Sequence, residues 1–353
     1  MFFVSDKSEM TTQLMDQKMK VDFNTYDLTA KELVNMVAEG ILNIAPDYQR
    51  QFRWDEKRQS SLIETIFLGI PVPSLFMATN SNGSWELIDG VQRLSTIIHF
   101  CATKEEWEKI YGPSREYSPL KLEGLKKLSS FNGKSFSDLP FDIQLKFKLA
   151  SIKATTLTDK SDMNVRFDLF ERLNRGGVIL SDQEIRSCVY RGAFNEFLKE
   201  LAQYPAFKSC VKLSEAQEND ATREELVLRF FAFANNYQNF THSVVDFLNE
   251  YMETASKRFN FESEGKVFKA VFDTLFAVLP DGIIRAQKKT PFNLYEGIAA
   301  GAALAYKEKG KINTEGMLDW MKGAELKRFT TGATNSRTQV AGRIEYCKAR
   351  FEA

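Results

Sequence analysis

Apolar positions along the first 160 residues switch repeatedly between a helical and an extended period. A helix opens at Thr29, where Thr29 and Glu32 hold the capping-box spacing and Leu28 with Leu33 suits the apolar staple around it. It ends near Gly40, and residues 41–44 read as a short strand. A second helix follows the N-cap candidate Asp55, with Leu62, Ile63, Ile66 and Phe67 on one face, and stops at Gly69-Ile70-Pro71. Residues 74–79 and 85–89 read as strands joined by the turn Asn80-Ser81-Asn82-Gly83. Trp85, Leu87 and Asp89 fall on one strand face at period two, and Leu94, Ile97, Ile98 and Cys101 recur at helical spacing beyond Gly90. Residues 142–149 predict a helix and 151–157 a strand.

The second half has no convincing strand. Val165, Leu169, Phe170 and Leu173 make one helical face that stops at Asn174-Arg175-Gly176-Gly177. Ser181 and Glu184 form a capping box with a Leu180–Ile185 staple, and Thr222 with Glu225 has the same spacing before a strongly apolar helix through Phe233. Further helical patterns run near 242–257, 265–278, 294–306 and 314–321. The last helix turns Val340, Ile344, Cys347 and Phe351 inward, so Arg337, Arg343, Lys348 and Arg350 read as its solvated face, or as a nucleic-acid or phosphate contact. The expected organisation is α+β, with a mixed domain over 1–180 and a helical domain over 181–353.

Composition narrows the chemistry. Lys+Arg and Asp+Glu are both 47, so no global basic field draws the chain onto nucleic acid, and DNA contact requires a local patch. The two histidines, His99 and His242, are far apart, and the four cysteines contain no CxxC pair, which excludes a zinc site and an HNH-type nuclease motif within this sequence. Buried thiols in a reducing compartment fit the cysteines. No apolar run approaches the ~20 residues of a membrane span, and the N-terminus is too polar for a signal peptide, so a cytoplasmic protein without a membrane partner is expected.

Three polar stretches carry candidate chemistry. In Asp89-Gly90-Val91-Gln92-Arg93 a strand ends, turns and opens a helix, the place where backbone N–H groups receive anions. There Asp89 suits a divalent ion or an attacking water, Gln92 a water or phosphate oxygen, and Arg93 a phosphate. The alternative is that Asp89 caps the helix and Arg93 lies on its solvated face. The second stretch is Pro46–Trp54, in which Tyr48, Gln49, Arg50, Arg53 and Trp54 suit a nucleotide, or else form a surface loop with two anchoring aromatics. The third is the Gly176-Gly177 break, which is either a corner between helices or a backbone approach to a ligand with donors from Arg172, Asn174 and Arg175.

The runs Pro46-Asp47-Tyr48-Gln49-Arg50 … Trp54, Leu68-Gly69-Ile70-Pro71-Val72-Pro73 and Asp89-Gly90-Val91-Gln92-Arg93-Leu94 resemble the N-terminal domain of GmrSD-type restriction endonucleases. Phe170-Glu171-Arg172-Leu173-Asn174-Arg175-Gly176-Gly177 and Leu180-Ser181-Asp182-Gln183-Glu184-Ile185 resemble a later block of that family. The resemblance implies a ParB/sulfiredoxin-like N-terminal fold and a DGQQR-type motif that binds and hydrolyses a nucleoside triphosphate with Mg, Mn or Ca. Carried over by position, the catalytic residues are Asp89, Gln92 and Arg93, with Asp89 as the metal ligand. Tyr48, Gln49, Arg50, Arg53, Trp54, Gly90 and Asn174 are the nucleotide-binding set. Val91 stands where the family has its first glutamine, a departure that bears on hydrolysis. The implied role is phage defence or restriction of modified DNA, with a separate nuclease subunit, DNA and a second copy of the chain as partners. The alternative is a ParB-like module that senses nucleotide without turning it over. A sulfiredoxin-like redox enzyme is set aside, because no cysteine stands in the turn.

Overall fold

A computed structural model of the chain describes residues 10–15, 22–44, 54–80, 82–158, 167, 169, 172, 181–285, 288–332 and 334–353. The chain divides into two compact units, Met1–Gly177 and Val178–Ala353. The first is mixed α and β, and the second is helical, so the α+β expectation holds.

The first unit runs β1 (Phe23–Thr29), α1 (Ala30–Ala38), β2 (Leu42–Asn43), α2 (Glu56–Phe67), β3 (Leu75–Thr79) and β4 (Trp85–Asp89). It continues with α3 (Val91–Cys101), α4 (Lys104–Tyr111), α5 (Phe141–Lys148) and β5 (Ser151–Leu157). The strands form one sheet in the order β1-β5-β3-β4-β2, with β3 parallel to β5 and β2 parallel to β4. Strand β1 is absent from the hydrophobic pattern for a physical reason. It is an edge strand exposed through Asp27, so it carries no alternating buried face; seven antiparallel pairs with β5 hold it, helped by buried Leu28 and by the Tyr26 ring 5.0 Å from that of Trp85. The pattern also passes over α4, whose signal is a capping box of Thr103 and Glu106.

Thr29 ends β1 and caps α1. Its side chain accepts from the Glu32 N–H at 3.1 Å and the Glu32 carboxylate accepts from the Thr29 N–H, as the spacing predicts. Thr29→Ala is expected to cost about 1 kcal/mol, readable as a lower midpoint in denaturant unfolding with an unchanged slope. Under the sheet's helices lies an aromatic cluster: Phe67, Phe100, Phe136 and Phe147, with ring centroids 5.0–6.2 Å apart. Such edge-to-face pairs fix α2, α3 and α5 against one another beyond simple burial.

The turn between β3 and β4 closes as predicted, with the Asn80 N–H donating to the Ser84 carbonyl at 2.8 Å. The pairing that follows is not regular. Phe76 lies opposite Asp89, but Met77 lies opposite Leu87, which leaves Ile88 as an extra residue in β4. A bulge of this kind breaks the period-two rule at one point. Phe76 and Met77 are adjacent and face opposite sides, so Asp89 faces the opposite side from Leu87 and Trp85. The expectation that Trp85, Leu87 and Asp89 share a face is therefore corrected for Asp89.

The second unit contains α6 (Asp182–Val189), α7 (Ala193–Ala202), α8 (Pro205–Cys210), α9 (Thr222–Asn236), α10 (Val244–Lys257), α11 (Phe261–Val278), α12 (Phe292–Lys309), α13 (Ala324–Thr330) and α14 (Arg337–Glu352). Single helical turns at Glu215–Glu218 and Met317–Trp320 lie between them; the longer helix expected at 314–321 shrinks to the second of these. Phe207, Phe230, Phe231, Phe268 and Phe272 form its buried aromatic centre. The Ser181–Glu184 capping box on α6 is present.

Two local expectations are corrected in this unit. Thr222 does not cap α9: the cap is Ala221, in the left-handed region at φ 60°, and the Thr222 hydroxyl donates instead to Asp220. Glu225 is thereby released from capping to bind two arginines. Arg343 is not on a solvated face either. It is fully buried and its guanidinium binds Glu296. The reason is close helix packing: a Cβ on Gly301 would lie 2.7 Å from the Cβ of Cys347, and one on Gly297 would lie 3.2 Å from that of Arg343. Glycine at both positions lets α12 approach α14 until Arg343 reaches Glu296.

That pair is one end of a buried ionic chain. Glu296 binds both Arg343 and Arg229, Arg229 reaches Glu225 at 2.7 Å, and Glu225 reaches Arg186 at 3.0 Å. Arg186 also donates to Asn249 at 2.8 Å. Burial by itself would raise the Glu225 carboxyl, but Arg229 and Arg186 hold it below the ordinary carboxylate value.

Candidate functional site

The strand–turn–helix at Asp89–Arg93 is assembled by three local causes. The bulge at Ile88 sets the face of Asp89, Gly90 turns the chain, and α3 begins at Val91. Gly90 has φ 102° and is the N-cap residue, with no side-chain hydrogen bond at the cap. Asp89 therefore does not cap α3, and the capping alternative is excluded.

Asp89 Oδ2 instead accepts from Arg93 Nη2 at 2.7 Å, one helical turn on. The same Nη2 donates to the Ser74 carbonyl at 3.3 Å, and Nε is buried without a hydrogen-bond partner. Arg93 is 15% exposed and Asp89 32%, so the guanidinium lies inside the turn and not on a solvated face. A Cβ on Gly90 would meet Leu75 Cδ2 at 2.3 Å, Arg93 Nη2 at 3.1 Å and Arg93 Nε at 3.3 Å. The guanidinium thus folds back over the glycine, and only glycine leaves room for it.

Gln92 points elsewhere. Its Oε1 accepts from the Trp54 backbone N–H at 3.2 Å. The Trp54 carbonyl accepts from Gln59 Nε2 at 2.8 Å, and the Arg58 guanidinium lies 4.6 Å from the centre of the Trp54 ring. Asp55 caps α2 through the Arg58 N–H at 2.8 Å, as its position predicts. Of the residues singled out in the sequence, Asp89, Gly90, Gln92, Arg93 and Trp54 are thus brought to one region, through direct bonds or through the backbone they share. Tyr48, Gln49, Arg50, Arg53 and Asn174 lie outside the described residues, as does nearly all of the Phe170–Gly177 block.

Three participants carry no motif signal: the Ser74 carbonyl, the Leu75 side chain and Gln59. Gln59 is 3% exposed and Ser60 beside it is fully buried, in a helix whose other polar residues reach solvent, and two polar residues in line with the apolar face are the hint a sequence could offer. Among the described residues no group of three or more His, Cys, Asp or Glu gathers to hold a metal ion. Cys101, Cys210 and Cys347 are buried, and burial pushes the Cys101 and Cys210 thiols up to about 12, so they are inert at neutral pH. No helix among the described residues is long and apolar enough to cross a membrane.

Residues 30–191 match the family model described as GmrSD restriction endonuclease, N-terminal domain. The match spans every element from α1 to α6 and contains the Asp89–Arg93 turn. It runs on past Gly177 into the helical unit. No curated protein and no solved structure matches the chain.

Proposed function

Taking residues 30–191 as a GmrSD restriction endonuclease N-terminal domain, we propose that the chain is a component of a DNA restriction system whose Gly90 turn binds a nucleoside triphosphate. The observation that carries the reading is the Arg93 guanidinium folded over Gly90 at the first turn of α3. A guanidinium fork beside the N-terminus of an eleven-residue helix suits the oxygens of a phosphate chain. Among the described residues Asp89 Oδ1 has no partner, while Oδ2 is held by Arg93.

A divalent ion fits this donor set as one delivered with the nucleotide, because among the described residues Asp89 is not part of any cluster of three or more His, Cys, Asp or Glu. Such an ion, Mg, Mn or Ca, neutralises phosphate charge when bound, and Asp89 is the residue that would hold it. Arg93, with Arg50, binds and orients phosphate oxygens, and Trp54 with Tyr48 walls the base. Gln49, Arg53 and Asn174 complete the binding set. DNA, a separate nuclease subunit and a second copy of the chain are the partners this role calls for, and the cytoplasm is where it would act.

Phosphate release tests the reading. Purified protein is assayed with each of the four NTPs and Mg, Mn or Ca, with and without DNA. Asp89→Ala and Arg93→Ala are each expected to lower turnover by at least about a hundredfold, the scale of losing a positioned charge. Unchanged turnover in both variants would sink the assignment.

One observation favours a second reading. Gln92 Oε1 is engaged by the Trp54 N–H, and Val91 supplies no amide where the family has its first glutamine, so neither motif amide oxygen is free to orient a water. In that reading the turn senses nucleotide without hydrolysing it. Nucleotide binding lost in Arg93→Ala, with no phosphate release from any variant, is its signature.

A further inference from the structure

Gln59 and His99 together sit between two fixed acceptors, the Trp54 and Ser118 carbonyls, whose chemistry sets the direction of the hydrogen bonds between them. One end of its amide is 2.8 Å from the Trp54 carbonyl, so that end is the NH2. The other end is therefore the carbonyl oxygen, and it lies 2.8 Å from His99 Nδ1. His99 Nδ1 must donate to it. The second ring nitrogen, Nε2, lies 2.6 Å from the Ser118 carbonyl and must donate there too. Both nitrogens of one imidazole face acceptors, and only the protonated ring satisfies both. A neutral ring leaves either Ser118 or Gln59 without its donor. If Gln59 then flips its amide to serve Nδ1, it loses the Trp54 carbonyl.

We infer that Gln59 is a positioning residue of the Gly90 site: it holds the Trp54 main chain against Gln92, and His99 holds Gln59 fully only when its ring is protonated. The link runs from the Ser118 carbonyl through His99 and Gln59 to the Trp54 carbonyl, and from the Trp54 N–H to Gln92 in the first turn of α3. Among the described residues, Glu56 of α2, Arg115 and the Trp107 ring of α4 at 5.8 Å act on the ring. Burial lowers the ring's pKa, the Ser118 carbonyl and Glu56 oppose that, and Arg115 adds to it. The net shift is downward, so the neutral ring predominates at pH 7 and the link tightens on acidification below the ordinary value of 6.5. The hydrogen-bond polarity stands by itself; only its bearing on affinity rests on the nucleotide reading of the Gly90 turn.

The test uses the full chain, in which His99 and His242 give two ring signals by NMR, assigned with His99→Asn. Gln59→Leu removes the acceptor for Nδ1 and is expected to lower the His99 pKa. Gln59→Glu keeps that acceptor and adds charge, and is expected to raise it. Neither variant can donate to the Trp54 carbonyl, so both are expected to speed exchange of the Trp54 amide about tenfold. In the unaltered protein, Trp54 amide protection, corrected for intrinsic exchange, is expected to rise as pH falls through the His99 midpoint. This arm decides the matter if either variant fails to fold. A His99 pKa equal in all three proteins, or Trp54 protection flat across that midpoint, overturns the inference. Binding of ATP and GTP with Mg separates the two proposals. Wild type that binds neither defeats the nucleotide reading and leaves the NMR result to decide the relay. Affinity about tenfold weaker in both Gln59 variants supports the link to the site, and wild-type affinity in both refutes it.

Discussion

Glu296→Ala is expected to destabilise the helical unit by about 3–5 kcal/mol, the range for breaking a buried ion pair from one side. The side chain is 2% exposed and serves two arginines at once, Arg229 and Arg343. Its removal leaves Arg343 with the Thr334 carbonyl as its remaining partner and Arg229 with Glu225. Glu225 would then serve both Arg229 and Arg186, while the buried Arg343 keeps only a carbonyl among its described partners. For a unit of this size each kcal/mol corresponds to about 2–4 °C, so thermal melts should fall by roughly 6–20 °C. Glu296→Gln retains an acceptor and the shape, and should lose less. A melting point within about 2 °C of wild type for the alanine variant would show that the chain of charges contributes little. The same network gives an acid limit. Because Glu225 is held below its ordinary value of 4.5, the stability it adds is present above that pH and is lost as pH falls below it.

Gly90→Ala is expected to cost about 2–6 kcal/mol in the first unit and to abolish the nucleotide binding proposed for the turn. Two effects combine. At φ 102° an L side chain is strained, by about 1–3 kcal/mol. The new Cβ would also stand 2.3 Å from Cδ2 of the fully buried Leu75, so that side chain must repack, at about 1–3 kcal/mol. Gly133→Ala separates the two. It has φ 79° but nothing within 4 Å of its Cβ, so it reports the strain by itself. Denaturant unfolding of both variants beside wild type, with nucleotide binding measured on the folded fractions, checks the expectation. Equal losses in the two would mean that Leu75 and Arg93 yield easily, and the argument for a packed turn would fail.

Much of this fold could be read from residues close together in the chain. The capping boxes at Thr29 and Ser181, the Asp55 cap, the β3–β4 turn and the start of α3 after Gly90 all rest on contacts within a few residues. Spacing is therefore enough to point to them, although the same spacing at Thr222 and Glu225 makes no cap. The same holds for the division into a mixed first part and a helical second part, because apolar period distinguishes strand from helix locally. The motif itself, Asp89 to Arg93, was legible for the same reason: its residues are one turn apart.

What spacing could not supply was decided by partners distant in sequence. The face of Asp89 depends on which residues of β3 lie opposite β4, and one unpaired Ile88 reverses it. Strand β1 exists because β5, more than a hundred residues later, offers it a main-chain edge. Gln92 meets Trp54, and Gln59 meets His99, only when α2 and α3 are packed side by side. Arg343 reads as a surface charge on its own helix and becomes the most deeply buried of its network, because glycines on α12 admit it to Glu296. Hydrophobic period and caps are properties of a segment, and the sequence by itself determined those. Register, and the partner of each buried charge, are properties of two segments together, and their free energy appears only when tertiary packing excludes water from both.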